Sequence, residues 1–322
     1  DPRERKRVME PIHYVIPFFI VSMLVEWRLL VHRQQDAAAA SGVVGYTPKD
    51  TAASITMGLG MLGVNLVAKL GALALYLFLY QFRVFDIPFT WWGVVLLLVA
   101  EDFCYYWFHR SHHEVRMLWA AHVNHHSSTH YNLSTALRQS WTTPLTGPLF
   151  WVPLPLLGFS VEMIVLAQTV SLVYQYWIHT ELIGSMGWFE TVFNSPSHHR
   201  VHHGRNALYL DRNHGGILII WDKLFGTFQA ELADEKVDYG LTTNIETYNP
   251  VRIAFHEWRA VFRDAAKAKT LRGKLGAFFM PPGWQDDGLG RTAKVMRDEA
   301  QAVRVASKSN SGVVLPGATL AA

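Results

Sequence analysis

Cysteine is almost missing from this chain: Cys104 is the single one in 322 residues. Intramolecular disulfides and thiolate metal clusters are thereby excluded. Charge is also scarce. Only 17% of residues are Asp, Glu, Lys or Arg, against about 25% in an ordinary soluble domain. The charges nearly cancel, at net +3, so no basic excess points to a nucleic-acid partner. No repeat of fixed period is visible, and no nicotinamide, flavin or nucleotide domain is indicated. What the chain has in excess is apolar and aromatic surface. Half of its residues are hydrophobic and twelve are Trp, a residue enriched where membranes meet water. A mean hydropathy of only +0.10 leaves room for a sizeable polar part beside several membrane helices.

Crossing a bilayer takes about 20 mainly apolar residues. Residues 11–31, 55–80 and 89–108 qualify, and 144–157 with 161–178 form a last pair whose first member is interrupted by prolines. The expected fold is therefore all-α, with four or five membrane helices carrying a helical head. The basic start, Arg3 to Arg7, places that end in the cytosol; 11–31 reads as a retained helix rather than a cleaved signal, either crossing the membrane or lying flat on it. Four regions follow. Residues 1–100 hold N-terminal membrane helices. Residues 101–240 hold the histidine-rich region, with the helix pair at about 144–178. Amphipathic surface helices occupy 241–290, with 251–279 suited to lying on a membrane. A disordered tail is expected over 291–322, where little can be buried.

Histidine is the abnormal residue: thirteen of the sixteen lie between His109 and His214. Three clusters share one spacing: His109 with His113; His122 with His125 and His126; and His199 with His202 and His203. Positions i, i+3 and i+4 share a helix face, so each cluster can aim several imidazoles at one point. Neutral imidazole suits iron, zinc or copper. Eight such ligands exceed what one ion takes, so a two-metal centre is expected. His113 is preferred to His112. His179, ending the last membrane helix, is counted as a ligand. His198 falls off the face of its cluster and His214 is placed beside the centre, while His13, His32, His130 and His256 are structural or exposed. Imidazole ligands need an acceptor on their second nitrogen, and Glu101, Asp102, Glu114, Asp211 and Asp222 are candidates. Phe103, Tyr105, Tyr106, Trp107, Leu133, Trp141 and Trp177 are candidates to line a lipid slot.

The three boxes, followed by DRNHGGILIIWDKLFGTF at 211–228, resemble the fatty acid hydroxylase and sterol desaturase superfamily. The stretches EDFCYYWFHR at 101–110, HHSS at 125–128, YNLSTALRQS at 131–140, YWIHTE at 176–181 and SPSHHRVHHGRN at 195–206 are similar to its alkylglycerol-oxidising branch. The resemblance runs from the first membrane helix to about residue 290. It implies a non-haem di-iron monooxygenase on the cytosolic side of a membrane, using O₂ to hydroxylate a lipid C–H bond. In that branch the carbon beside an ether oxygen is oxidised, giving a hemiacetal that falls to a fatty aldehyde and a glycerol derivative. The implied cofactors are two iron ions, with tetrahydrobiopterin or another external reductant as electron donor. Carried over by position, the metal ligands are His109, His113, His122, His125, His126, His199, His202 and His203, with His179 and His198 added. Glu114, Asp102 and His214 are the expected catalytic residues, and Tyr106, Asn132 and Trp177 the expected substrate contacts. A sterol, fatty-acyl, carotenoid or aminolipid substrate is the alternative. Thr129 replaces an acid of that branch, His214 replaces a tyrosine, and further membrane helices after residue 290 are not seen.

Overall fold

The computed structural model describes residues 12–35 and 44–311; the basic start lies outside them. Among the described residues the fold is all-helical, with two isolated bridges and no strand. The helices are α1 (Ile12–Gln35), α2 (Pro48–Tyr80), α3 (Trp91–Glu114), α4 (Arg116–Ala120), α5 (Val123–His126), α6 (Thr143–Thr146), α7 (Pro153–Leu157), α8 (Val161–Trp177), α9 (Pro196–His202), α10 (Ile220–Phe225), α11 (Pro250–Lys267), α12 (Leu271–Phe279) and α13 (Ala293–Ser311).

One described helix, α2, is long and apolar enough to cross a membrane by itself. It opens with Pro48 at its first position, where the missing N–H costs nothing. Its first turns bury Asp50, Ala53, Ser54 and Met57 against the head, while Leu66 and Val67 farther along are 77% and 74% exposed. Gly58, Gly60 and Gly63 fall in GxGxxG order inside α2, with no strand before them. Gly58 and Gly60 serve close packing, whereas Gly63 faces open space. A Cβ on Gly60 would meet Trp141 Nε1 at 2.3 Å, and that indole donates to the Met57 carbonyl.

Residues 144–157 do not make the expected membrane helix. They form α6, a 3-10 turn over Gly147–Trp151, and α7. Pro148, Pro153 and Pro155 each lack an amide hydrogen and break the ladder. The resulting corner packs Trp151 and Leu154 with Leu97, Phe108, Phe159 and Ile164, joining α3 to α8.

The tail differs as well. Residues 293–311 form α13 where an unstructured tail was expected; 312–322 lie outside the described residues. The helix is held by polar contacts rather than by a large apolar face. Arg297 donates to the Leu210 carbonyl at 2.7 Å and Arg304 pairs with Asp234. Helices α11 and α12 pack together against α4 and leave Phe262, Leu275 and Phe279 more than half exposed.

A buried ion pair ties the segment after α5 to α2. Arg138 reaches Asp50 of α2 at 2.9 Å, also donating to Ser54 and Ser127. Ser128 donates to the second carboxylate oxygen. Every partner of the pair is thus polar and placed, which a buried charge requires.

Candidate metal centre

Four helix ends deliver the imidazoles. The last two turns of α3 present His109 and His113. His122 precedes α5, which carries His125 and His126. His179 stands two residues beyond α8, and α9 carries His199 and His202 with His203 capping its end. Ser195 caps the start of α9 by accepting from the His198 amide, and Pro196 fixes its first turn.

These rings divide into two buried groups. His109, His113, His122, His126 and His202 form one; His125, His179, His199 and His203 form the other. Within each group the candidate ligand atoms all lie within 4.8 Å of one another. The groups adjoin, since His126 and His203 stack with centroids 4.4 Å apart.

The second ring nitrogens show which atom each imidazole offers. His109 Nδ1 faces the His214 carbonyl at 2.8 Å, His179 Nδ1 that of Gln175 at 2.7 Å, and His202 Nδ1 that of Arg212 at 2.8 Å. His125 Nδ1 faces the Arg138 carbonyl at 3.3 Å. A carbonyl only accepts, so these Nδ1 atoms carry the hydrogen and each Nε2 is a bare lone pair. Nε2 of His125 lies 3.2 Å from Nε2 of His179, and Nε2 of His122 lies 3.1 Å from those of both His109 and His126. Nε2 of His113, His202 and His203 has no hydrogen-bond partner among the described residues. Buried acceptors without partners cost about 1–3 kcal/mol each. A cation in each group would satisfy them together, at spacings suited to ligands about 2 Å from one ion.

Burial, reinforced by neighbouring imidazoles, holds His113, His122, His126 and His203 well below the ordinary histidine value. Burial also brings His125 down to about 4 and His202 to about 3. All are therefore neutral, as ligation requires.

Other expected site residues stand elsewhere. His198 lies outside both groups, its ring edge on Phe228, because its helical position turns it from the face of His199 and His202. His112 bonds the Phe108 carbonyl and Thr146 instead. His214 is fully buried beside His113, with ring centroids 5.1 Å apart, and neither of its nitrogens has a hydrogen-bond partner among the described residues. His130 and His256 are partly buried and His32 is exposed; the His13 side chain is outside the described residues.

The carboxylates also separate. Asp211 Oδ1 faces His113 Nδ1 at 3.3 Å, the expected acceptor arrangement. Asp102 touches no imidazole. It accepts from the amides of Ile217 and Leu218 and from Trp221 Nε1, so it anchors a loop and has no catalytic contact. Gly216 permits this approach, since a Cβ there would meet Asp102 Oδ1 at 2.9 Å. Asp222 accepts from the amides of His214 and Gly215 and from Thr227, fixing the very carbonyl that orients His109. Burial pushes Asp222 up to about 6. Glu101 accepts from Trp151, and Glu114 pairs with Arg110 on the helix surface, so neither meets a histidine.

Asn132 is spent on a turn. It donates to the Gly45 carbonyl and accepts from the Ser134 amide and hydroxyl, buried at 1% exposure away from any open surface. Tyr106 is sealed in, bonded to Thr227 and Arg110, whereas Trp177 is partly exposed at the end of α8. Sequence reading missed Trp119, whose ring lies 5.0 Å from His113 and 5.5 Å from His126. Its position three residues before His122 was the available signal.

Residues 94–227 match the family model described as fatty acid hydroxylase. The matched stretch contains all nine grouped histidines. The chain is also similar to alkylglycerol monooxygenase of Homo sapiens, 39% identical over 288 residues, 87% of this chain and 61% of that protein. The same-named protein of Xenopus tropicalis is 45% identical over 62% of this chain and 43% of its own length. Ornithine lipid hydroxylase OlsE of Rhizobium tropici is 31% identical over 47% of this chain and 46% of its own. The chain thus spans about two fifths to three fifths of the length of these relatives. No solved structure matches it.

Proposed function

We propose that this chain is an integral-membrane, non-haem di-iron monooxygenase that cleaves the ether bond of alkylglycerols. The observation carrying the reading is the pair of all-imidazole groups, facing lone pairs inward, in a hydroxylase domain next to an apolar helix. The balanced reaction is R–H + O₂ + DH₂ → R–OH + H₂O + D, where DH₂ is an external two-electron donor. The likeness to alkylglycerol monooxygenases makes tetrahydrobiopterin, or another external reductant, the expected donor. When bound, the two irons would supply the redox chemistry that reduces O₂.

The chain's own residues supply placement and exclusion. Imidazole nitrogens are neutral and resist oxidation where thiolates would not. Asp222 holds the 214–215 backbone, which orients His109, and Asp211 orients His113. Tyr131 packs against His179 and His203 and Tyr105 against His109, and they keep bulk water from the centre. Hydroxylation of the carbon beside an ether oxygen gives a hemiacetal. That product falls to a fatty aldehyde and a glycerol derivative without further help from the protein.

Membrane placement rests on α1, α2, the first half of α3 and α8. These present Leu24, Leu66, Trp91 and Leu172 to the outside, each more than half exposed. Four crossings or insertions with the histidine head in the cytosol accommodate this surface, with the exposed Phe and Leu side chains of α11 and α12 resting at the lipid interface. The partial likeness to an ornithine lipid hydroxylase supports an aminolipid as second substrate reading.

The test is metal analysis of purified protein with aerobic turnover of an alkylglycerol and an ornithine lipid, with and without reduced pterin. Two irons per chain and pterin-dependent release of fatty aldehyde are expected. Turnover of the ornithine lipid alone would transfer the reading to the aminolipid.

A further inference from the structure

Helices α11 and α12 carry a patterned face that the rest of the chain does not cover. At about 100° per residue, Ile253, Ala254, Glu257 and Val261 fall on one side of α11. That side turns inward: Ile253, Ala254 and Val261 are buried, and Glu257 pairs with Arg116 of α4. Val251, Phe255 and Phe262 fall on a second stripe and are exposed. Arg252, Arg259, Arg263 and Lys267 form a third stripe directly beside the second, and all four are exposed. Helix α12 repeats the pattern. Gly273, Gly276 and Ala277 are buried, Leu271, Leu275 and Phe279 are more than half exposed, and Arg272 and Lys274 flank them. The rings of Phe262 and Phe278 meet edge-on, with centroids 5.7 Å apart, and join the two apolar stripes into one surface.

The position of this surface and its charge name the occupant. The start of α11 packs Ile253 and Ala254 on Ala53 and Met57 of α2, and the Phe255 ring edges Trp141. Just beyond Met57, α2 begins its outward apolar run with Leu59, Leu62 and Leu66, all exposed. The surface therefore starts at the level where α2 becomes apolar on its outside. Its acids are engaged, since Glu257 and Asp264 both hold Arg116. Arg252, Arg259, Lys267 and Lys274 form no ion pair among the described residues. Apolar stripes edged by unpaired cations match a bilayer whose headgroups are negative. A second copy seated on the same face would set these cations against their own kind, which is unfavourable.

We propose that α11 and α12 form a docking surface for anionic phospholipid. Their Phe and Leu side chains enter the edge of the bilayer, and Arg252, Arg259, Lys267 and Lys274 meet the phosphodiester headgroups. The inference rests on the membrane placement above and adds the headgroup charge that the surface selects.

The experiment uses the iron-loaded full chain in lipid nanodiscs. Cys104 is buried, so a thiol introduced by Leu275→Cys takes an environment-sensitive fluorophore alone. Nitroxide-bearing lipid then quenches that fluorophore where it touches the bilayer. Quenching should rise several-fold when phosphatidylglycerol is added to phosphatidylcholine, and should fall back in high salt as the headgroup attraction is screened. Adding Arg252→Gln, Arg259→Gln, Lys267→Gln and Lys274→Gln together should abolish the rise, with iron content and thermal midpoint unchanged. Equal quenching in the two lipids overturns the proposal, as does a rise that survives high salt or the four substitutions. A fluorophore shielded from the lipid, with emission that depends on protein concentration in detergent, overturns it in favour of a second copy. Leu66→Cys on α2 is the control and should be quenched in both lipids. Its escape from quenching would sink the membrane placement itself.

Discussion

His125 and His179 turn their Nε2 lone pairs on each other across 3.2 Å, because each ring hands its Nδ1 hydrogen to a backbone carbonyl. Two bare acceptors at that distance repel unless a cation sits between them. The arrangement suits a shared cation, as the proposed centre requires. Removing metal with a chelator should lower the thermal midpoint by several degrees. An ion present at a thousandfold excess over its Kd contributes about 4 kcal/mol to the folded state. An unchanged midpoint after complete stripping would contradict this.

The division into two groups predicts divisible stoichiometry. His109→Ala removes a member of the five-histidine group and His125→Ala a member of the four-histidine group. Each should take the iron content from two per chain towards one and abolish turnover. His198→Ala should keep both ions, since that ring lies outside both groups. Loss of iron in His198→Ala, with iron retained in His125→Ala, would reverse the assignment.

The grouped histidines also set a pH dependence. In the unfolded chain they protonate near pH 6.5, whereas burial brings His125 to about 4 and His202 to about 3 in the fold. Below pH 6.5 the unfolded state therefore binds more protons than the native state. Stability falls as pH falls from 6.5 towards those values, by about 1.4 kcal/mol per pH unit for each such histidine. Thermal midpoints of metal-free protein between pH 7.5 and 4 should drop steeply below 6.5. A flat profile would show that the rings are not buried neutral.

Asp222 acts on the metal at one remove. Asp222→Asn disturbs the clamp on the His214 and Gly215 amides, and with it the carbonyl that orients His109. Metal affinity should fall about 10- to 100-fold, the range for lost outer partners of a ligand. Competition with a chelator of known affinity measures it. Wild-type affinity in this variant would make Asp222 a fold residue alone.

Arg138→Leu leaves Asp50 buried without its cation. Such a break costs about 3–5 kcal/mol, so the midpoint should fall sharply. Asp50→Leu/Arg138→Leu should recover part of the loss, which calorimetry of the three variants would show.

Much of the centre was legible because its spacing is local. His109 with His113, and the two triplets, announce shared helix faces in the chain itself. Which rings join which ion was not legible, since His202 groups with α3 and α5 while its neighbours His199 and His203 group with His179. The carboxylates misled for a related reason. Asp102 stands about two turns before His109, yet its partners are amides more than a hundred residues away. The helix α13 escaped notice because its anchors are ion pairs and a carbonyl on distant loops, not an apolar stripe. Residues 144–157 read as apolar enough for a membrane, but apolarity says nothing of the ladder that four prolines interrupt.

Extended X-ray absorption at the iron edge of the purified protein tests the central claim most directly. The account predicts two irons per chain, each with a first shell dominated by imidazole nitrogen at about 2.0–2.2 Å and no sulfur. A single iron per chain, or a shell dominated by sulfur, would contradict it.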